Sequence, residues 1–174
     1  MDTVYTAEVD SPVGALRLAS TEDGLVYVEL PRASGRGFAG WLERHALGAA
    51  QREAYAPNRV AAAQICEYLE GKRLEFDLPL DLRATDFQKR VYGAIAAIPY
   101  GETRSYAEVA SQLGRANAVR AVGAASGANP VPLVIPCHRV IAKDGHLQGY
   151  AGGVRLKGRL LAMERARPGQ GRLL

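Results

Sequence analysis

The amino-acid sequence predicts an α+β fold, in which an amino-terminal β-meander with helices is joined to a mostly helical second half. Strand-like runs separated by turn residues occupy the first 30 positions, whereas apolar residues recur at helical spacing from residue 85 onward. A chain of 174 residues can hold one core or two small subdomains. We therefore expect an amino-terminal α/β domain over 1–80, a linker over 81–85 and a second domain over 86–174.

The meander is expected to contain three strands, at residues 4–9, 15–20 and 25–30. The turn sequences Ser-Pro-Val-Gly and Thr-Glu-Asp-Gly separate these apolar runs. A further strand is expected over 74–78, where leucine and phenylalanine alternate with polar residues.

Two helices are expected in the amino-terminal domain. One covers about 38–47 and a clearer one covers 57–70, where Pro57 suits the first turn and Gly71 suits the end. Cys66 lies within the second helix and is expected to be buried, as free cysteines commonly are. This domain is expected to support the other one and carries no predicted chemistry.

The second half contains two capping boxes, sequences of the form Ser/Thr-x-x-Glu/Gln that begin helices. They start at Thr85 and Ser105 and predict helices over 86–98 and 106–113. A capping box satisfies two of the free backbone N–H groups of a first helical turn, so both helix starts are well specified.

A third helix, capped by Asn117, is expected over 118–127. Together with the short preceding helix and its glycine-containing turn it forms a helix-turn-helix candidate. This third helix consists almost entirely of small residues, and Arg120 is its one long charged side chain. Small residues allow either tight helix packing or close approach to a partner.

The segment 133–140 is expected to run extended, and it suggests a reactive thiol. A last helix is expected over 156–165. The segment carries Cys137 directly before His138 and Arg139. A free cysteine has a pKa of about 8.5, and a neighbouring base or cation raises the nucleophilic thiolate fraction. Arg139 is expected to play a structural role by donating to carbonyl groups of this segment.

Charge is distributed unevenly along the chain. Residues 1–85 hold 9 Lys and Arg against 13 Asp and Glu, a net charge of −4, whereas residues 86–174 hold 13 against 5, a net charge of +8. A basic surface around a thiol favours a polyanion such as nucleic acid, although composition alone also gives basic surfaces.

Several protein classes are excluded by the rest of the composition. Two cysteines make no disulfide framework, the acidic amino terminus is unlike a secretory signal, and no apolar run suits a membrane span, so we expect a cytoplasmic protein. The scattered histidines and cysteines have no zinc-site spacing, so no metal is expected.

Five ordered segments of the second half carry a resemblance to a known family. They are FQKRVYGAIAAIPYGETRSYAEVA at 87–110, RAVGAASGANP at 120–130, NPVPLVIPCHRVI at 129–141, GYAGG at 149–153 and KGRLLAMER at 157–165. With these segments the chain resembles the bacterial O6-alkylguanine-DNA alkyltransferases, or methylated-DNA–protein-cysteine S-methyltransferases. The resemblance implies DNA repair by direct reversal: an irreversible, single-turnover transfer of an alkyl group from O6 of guanine to the protein's own cysteine. Whether O4 of thymine is also a target stays open.

The resemblance also implies roles for individual residues. Cys137 matches the alkyl acceptor, His138 the base that takes the thiol proton through a water, and Glu164 the carboxylate that orients the histidine. Tyr106 matches the donor to the departing guanine. Asn129 matches the residue that positions the active-site segment.

The expected DNA contacts and pocket follow from the same resemblance. Arg120 matches an arginine that fills the gap in the base stack when the guanine is extruded from the duplex. The resemblance implies a winged-helix-like helix-turn-helix domain that binds the minor groove. The other implied DNA-binding residues are Ala121, Gly123, Ala124 and Ser126, with Tyr106. The implied pocket residues are Pro132, Val140, Tyr150, Ala151 and Gly152. Lys157 matches a lysine near the active site.

The expected partner is double-stranded DNA containing O6-alkylguanine, bound by a monomer without a cofactor and without membrane association. Two other classes remain open on the sequence alone. One is a lesion-binding protein that transfers nothing, against which the presence of Cys137 argues. The other is a cysteine hydrolase with a Cys-His-Glu arrangement, which would need an oxyanion hole.

Overall fold

The computed structural model of the protein describes residues 2–33 and 35–165, and the α+β class is confirmed. Three consecutive antiparallel strands open the chain, as predicted: β1 (Thr3–Val9), β2 (Leu16–Ser20) and β3 (Leu25–Glu29). A fourth strand, β4 (Ala50–Glu53), pairs in parallel with β1 and gives the sheet order β3-β2-β1-β4.

Strand β4 escaped prediction because it is polar and exposed along its whole length. Its sequence, AQRE, has no alternation between apolar and polar residues, so only pairing with the edge of β1 defines it. Helix α1 (Gly37–His45) begins one residue before the expected range of about 38–47 and ends two residues before the end of that range. It packs Phe38 and Trp41 against Val4 and Val26 of the sheet.

Helix α2 (Arg59–Leu69) follows a 3₁₀ turn (Ala56–Asn58) that contains Pro57. The predicted apolar face is buried, including Ile65 and Tyr68. The prediction for Cys66 was wrong: its side chain is partly exposed and its Sγ lies 3.6 Å from the carbonyl oxygen of Asp10.

The strand expected over 74–78 is absent among the described residues. The side-chain amide of Gln64 donates to the carbonyl oxygen of Asp77 at 2.9 Å and accepts from its N–H at 2.9 Å, so one side chain takes both backbone partners. Just after this segment, Leu25 of β3 forms an isolated bridge with Leu80. The alternating residues Phe76 and Leu78 nevertheless pack on the core.

Four helices dominate the second half: α3 (Asp86–Ala96), α4 (Tyr106–Gln112), α5 (Val119–Gly127) and α6 (Val154–Arg165). Both predicted capping boxes are present in full. The cap predicted at Asn117 was wrong, because α5 begins one residue later behind Ala118 and has no side-chain cap. Tail residues 166–174, at the end of the predicted second domain, lie outside the described residues.

The segment before the last helix is folded rather than extended, which corrects the prediction for 133–140. Leu133 has a positive φ of 76°, and Cys137–Arg139 form a 3₁₀ turn in which the N–H of Arg139 donates to the carbonyl oxygen of Pro136. Only β6 (Val140–Ile141) is extended, and it pairs in parallel with β5 (Arg104–Ser105). Because β5 leads directly into α4, this ladder brings the start of α4 to the segment that holds the cysteine.

One apolar core joins the two halves of the chain. It contains sheet residues such as Leu16, Tyr68 of α2, Ile95 of α3 and Leu133 of the cysteine segment. The backbone N–H of Val28 in β3 also donates to the carbonyl oxygen of Pro130 at 2.8 Å. The cysteine segment is thus anchored by the common core, through Leu133, and by a hydrogen bond from the sheet to Pro130, just before it. None of the helices in the described ranges is both long and apolar enough to cross a membrane.

Substitution of Ser105 by alanine tests the capping box that starts α4. The Ser105 hydroxyl accepts from the N–H of Glu108 at 3.0 Å, and its loss is expected to lower the free energy of unfolding by about 1 kcal/mol. Chemical denaturation measures this change. Ser111→Ala, which alters an exposed serine within the same helix, is the matched control and should stay within about 0.5 kcal/mol. Equal losses in both variants would contradict the capping role.

Candidate active site

The Cys137 thiol begins the 3₁₀ turn and is only 6% exposed. Burial raises the pKa of this thiol, while a hydrogen bond from the Asn129 side chain and the positive charge of Lys157 oppose the rise. The thiol is therefore protonated at rest, and a base must remove its proton before it can act as a nucleophile.

The His138 ring lies fully buried beside the Glu164 carboxylate, with 2.9 Å between His138 Nε2 and Glu164 Oε1. Burial lowers the pKa of His138, although the hydrogen bond and negative charge of Glu164 oppose that effect. A neutral ring can donate to the carboxylate only if Nε2 carries the hydrogen, so the hydrogen-bond partners assign the Nε2–H tautomer. Nδ1 has no hydrogen-bond partner within residues 2–33 and 35–165 and retains a free lone pair.

The Glu164 carboxylate is ionised although it is buried. Burial by itself raises its pKa, but hydrogen bonds and charges from His138 and Arg139 outweigh burial and bring the pKa to about 2. Arg139 Nη2 lies 2.7 Å from Oε1, and Arg139 Nε lies 3.0 Å from Oε2. The Arg139 guanidinium also donates to the carbonyl oxygen of Ile98 at 2.7 Å.

The role predicted for Arg139 was therefore incomplete. It donates to one carbonyl group, that of Ile98 just after α3, but its principal partner is the carboxylate of Glu164. A buried carboxylate needs such a partner, since an unpaired buried charge is strongly destabilising. Sequence adjacency to Cys137 gave no sign of this pairing, which joins residues 25 positions apart.

A tyrosine from the amino-terminal half completes the cluster and was missed from the sequence. The Tyr68 hydroxyl donates to Glu164 Oε1 at 2.7 Å and lies 3.1 Å from His138 Nε2. Its position on the apolar face of α2 suggested core packing alone. No local sequence pattern could link Tyr68 to Glu164, because 96 positions separate the two residues.

Lys157 and Asn129 fasten the segments around the thiol. The Lys157 ammonium, fully buried, donates to the carbonyl oxygens of Val140 at 2.7 Å and Gln148 at 3.1 Å. The Asn129 amide donates to the carbonyl oxygen of Ile135 at 2.8 Å, and its oxygen accepts from the N–H of Val131 at 3.0 Å. Both side chains therefore hold backbone on either side of the Cys137 turn.

A groove of about 1120 Å³ opens beside this cluster. Most of the residues predicted for DNA and pocket contacts line it: Tyr106, Arg120, Gly123, Ala124, Pro132, Tyr150 and Ala151. Helix α5 lies close to the Tyr106 ring at Gly123. A Cβ atom added at Gly123 would lie 4.0 Å from Tyr106 Cδ1, which is an ordinary van der Waals contact. The groove continues to the amino-terminal half, where Trp41, Arg44 and Arg83 line it.

Four of the predicted contact residues do not line the groove. Ser126 is buried on the inner side of α5 with 6% exposure, so the predicted DNA contact conflicts with its position. Val140 is also fully buried, and its carbonyl oxygen is occupied by Lys157. Ala121 is exposed and Gly152 is partly exposed, but both lie outside the groove lining. Helical spacing places Ser126 on the buried face of α5, with Val122 and Ala125.

Two phenols flank the thiol and stay protonated. Burial and the nearby Cys137 raise the pKa of Tyr106, which is half-buried at the edge of the groove. Burial raises the pKa of Tyr150 well above its ordinary value, and the charges of Cys137 and Glu164 act in the same direction. The Tyr106 phenol can therefore donate a hydrogen bond to a ligand in the groove. The Tyr150 hydroxyl is buried and has no hydrogen-bond partner among the described residues.

Comparison with known proteins accounts for nearly the whole chain. Residues 4–82 match the family model described as 6-O-methylguanine DNA methyltransferase, ribonuclease-like domain, and residues 86–166 match its DNA binding domain. The chain belongs to the 6-O-methylguanine DNA methyltransferase family.

Individual members of this family are similar over most of their length. A methylated-DNA–protein-cysteine methyltransferase of Mycolicibacterium paratuberculosis is 44% identical over 160 residues, covering 90% of each chain. An inducible one of Bacillus subtilis is 43% identical over 148 residues, covering 85% of this chain and 83% of its own. The crystal structure of Mycobacterium tuberculosis OGT in complex with DNA superposes with a TM-score of 0.79 at 40% identity, covering 94% of this chain and 92% of that one.

Substitution of Glu164 by glutamine tests the buried charge pair. It removes the partner of a buried arginine and is expected to cost about 3–5 kcal/mol of unfolding free energy near neutral pH. The folded-state pKa of Glu164, about 2, lies below its ordinary value of 4.5, so its stabilising contribution is present above pH 4.5 and disappears as the pH falls towards 2. The difference between the two proteins should shrink across that interval in denaturation measured at a series of pH values.

The control for this experiment is Glu102→Gln. Glu102 pairs with Arg104 at the surface, with side chains 51% and 39% exposed, and such pairs contribute at most about 1 kcal/mol. A Glu164→Gln deficit that stayed constant down to pH 2 would contradict the ionised carboxylate.

Proposed function

We propose that this protein repairs alkylated DNA by transferring an alkyl group from O6 of guanine to the sulfur of Cys137, once per molecule and without a cofactor. The observation that carries the proposal is the buried Cys137, His138 and Glu164 cluster beside a groove lined by Tyr106 and Arg120. Family membership supports the same reaction, since the relatives bear the name methylated-DNA–protein-cysteine methyltransferase.

The transfer begins with removal of the thiol proton. His138 Nδ1, whose lone pair is free, receives the proton of Cys137 through a water molecule, and Glu164 stabilises the resulting imidazolium through Nε2–H. Lys157 stabilises the thiolate, because its buried charge lowers the pKa of Cys137. The thiolate thus forms near the positive charge of Lys157, and the imidazolium forms beside the negative charge of Glu164.

The chemical step is a nucleophilic substitution at a saturated carbon. The thiolate forms an S–C bond as the C–O bond to O6 breaks, and the electron pair of that bond remains on guanine. Tyr106 donates a hydrogen bond or proton to the leaving guanine, and the proton released by the thiol balances the reaction through His138 and solvent. A general acid of this kind contributes about 10²–10⁴-fold to a rate.

Access to O6 requires the guanine to leave the base stack. Unpairing and unstacking cost a few kcal/mol, which a side chain inserted into the gap offsets in part. Arg120 is exposed at the start of α5 and lines the groove, so we assign it this insertion. Gly123 and Ala124 allow α5 to approach the minor groove of the duplex closely.

The partner we propose is double-stranded DNA containing O6-alkylguanine, bound by a monomer in the cytoplasm. The net charge of +8 over residues 86–174 favours a polyanion, and a related protein of Mycobacterium tuberculosis was crystallised with DNA. We also propose the domain bounds: residues 1–80 form the amino-terminal domain, 81–85 the linker and 86–174 the DNA-binding and alkyl-acceptor domain.

Mass spectrometry after incubation with a duplex containing one O6-methylguanine tests the proposal. The expected result is one added methyl group per protein, on the peptide that contains Cys137, with no further increase at excess DNA. Cys137→Ser should take up no methyl group, whereas Cys66→Ser, which removes the other thiol, should react normally. Tight lesion binding without a mass change would indicate recognition alone, and neither binding nor transfer would indicate a different thiol enzyme.

Substitution of Arg120 by alanine tests base extrusion. The variant is expected to react with the duplex at least about tenfold more slowly, because the cost of unstacking is no longer offset. Its reaction with free O6-methylguanine should change little. The rate constants of both reactions are measured under single-turnover conditions.

Arg52→Ala is the control for the loss of one positive charge. Arg52 lies on the exposed strand β4 outside the groove lining, so its removal should leave both reactions unchanged. Equal losses of Arg120→Ala on duplex and free base would remove the proposed role in extrusion.

A further inference from the structure

The amino-terminal half supplies one polar group to the His138–Glu164 cluster, the hydroxyl of Tyr68. Tyr68 lies near the carboxyl end of α2 and is fully buried. Its ring packs beside Phe76, with centroids 5.3 Å apart, and edge-on to Tyr100 at 6.3 Å. These contacts, one from each half of the chain, fix the ring and therefore the direction of its hydroxyl.

The hydroxyl faces both members of the proton-accepting pair. It lies 2.7 Å from Glu164 Oε1 and 3.1 Å from His138 Nε2. Its hydrogen goes to the carboxylate, because Nε2 already carries the hydrogen that it donates. The oxygen of Tyr68 is then a second acceptor for His138 Nε2–H.

We infer that Tyr68 is a positioning residue for alkyl transfer, which holds Glu164 ionised and oriented and keeps the hydrogen of His138 on Nε2. The inference rests on the proposed function and extends it to the amino-terminal half, to which the sequence assigned no chemistry.

The electrostatic reason lies in the way Glu164 Oε1 is shared. This single oxygen accepts from Tyr68, from His138 Nε2 and from Arg139 Nη2. Each further donor spreads the negative charge and weakens the hold of the carboxylate on the histidine. Tyr68 therefore limits the basicity of His138, so that the ring is neutral and ready to accept a proton at physiological pH.

Burial supports the permanence of this arrangement. The pKa of Tyr68 is raised well above its ordinary value by burial and by the charge of Glu164, so the phenol remains a donor throughout the working pH range. Several titratable or charged groups surround His138. They are Glu164 and Lys157 of α6, Arg139 and Cys137 of its own turn, Tyr68 of α2, and Tyr150 of the loop before α6.

Tyr68→Phe separates the hydroxyl from the ring. The phenylalanine keeps the packing against Phe76 and Tyr100 and removes only the hydrogen bonds. With one donor lost, Glu164 holds the imidazolium more tightly and the pKa of His138 rises. Because a protonated ring cannot accept the thiol proton, the single-turnover rate constant at saturating duplex should fall about ten- to hundredfold on the acidic limb of the pH–rate profile, the range that corresponds to one hydrogen bond to a charged group. The acidic limb of the pH–rate profile should move to higher pH.

Ser20→Ala is the matched control. It removes another buried hydroxyl of the amino-terminal half, which donates to Asn58 Oδ1 at 2.8 Å away from the cluster. Both variants should lose thermal stability, but only Tyr68→Phe should lose transfer rate. A Tyr68→Phe protein with an unaltered rate would overturn the inference. So would a slower one that keeps the midpoint of the acidic limb, or an equal loss of rate in Ser20→Ala.

The unaltered protein, measured alongside, separates this inference from the proposed function. Absence of transfer by the unaltered protein would reject the proposed function itself, whereas normal transfer by Tyr68→Phe rejects only the role of Tyr68. If the variant fails to fold, proton NMR of the unaltered protein decides instead. A nuclear Overhauser contact between the Tyr68 hydroxyl proton and the His138 Nε2 proton is expected, and its absence would overturn the inference.

Discussion

The ionised carboxylate of Glu164, enclosed in the protein interior, is the constraint on which the site depends. An isolated buried carboxylate would take up a proton, since transfer of its charge out of water is costly. Here Arg139 neutralises it, and hydrogen bonds from Tyr68 and His138 share its charge. All of these donors must therefore reach the Glu164 carboxylate, and this requirement links the end of α6 to the cysteine turn and to α2. Buried ion pairs give little assured stability, so the arrangement specifies geometry rather than adding robustness.

The same constraint explains how segments far apart in sequence are brought together. Arg139 also donates to the carbonyl oxygen of Ile98, which ties the end of α3 to the cysteine turn. The turn that follows α3 comes close to α6, where an added Cβ at Gly101, whose φ is +84°, would lie 3.1 Å from the backbone oxygen of Glu164. Glycine suits both the left-handed backbone and the close approach. The groove residue Tyr106 follows soon after, at the start of α4, so closure of the charged cluster also places the phenol at the edge of the groove.

The sequence predicted this organisation well where the signal is local. Capping boxes identified the starts of α3 and α4, and strand-like runs separated by turn sequences identified the first three strands. Prediction failed where tertiary contacts decide. The Gln64 side chain pairs with the backbone of Asp77 within the expected strand at 74–78, and the polar strand β4 forms by pairing with the edge of β1. In the site, motif positions located Cys137, His138 and Glu164, but no local pattern could assign Arg139 to Glu164 or bring Tyr68 from α2 into the cluster.

The state of the His138 ring is the most direct test, because the proposed reaction needs a neutral ring with a free Nδ1. Nitrogen chemical shifts of a ¹⁵N-histidine-labelled protein report the hydrogen on each ring nitrogen as the pH is varied. At neutral pH we expect a protonated Nε2 and an unprotonated Nδ1 for His138, with the resonances assigned by comparison with a His138→Gln variant. A hydrogen on Nδ1, or an imidazolium at neutral pH, would contradict the role of Glu164 in preparing this base.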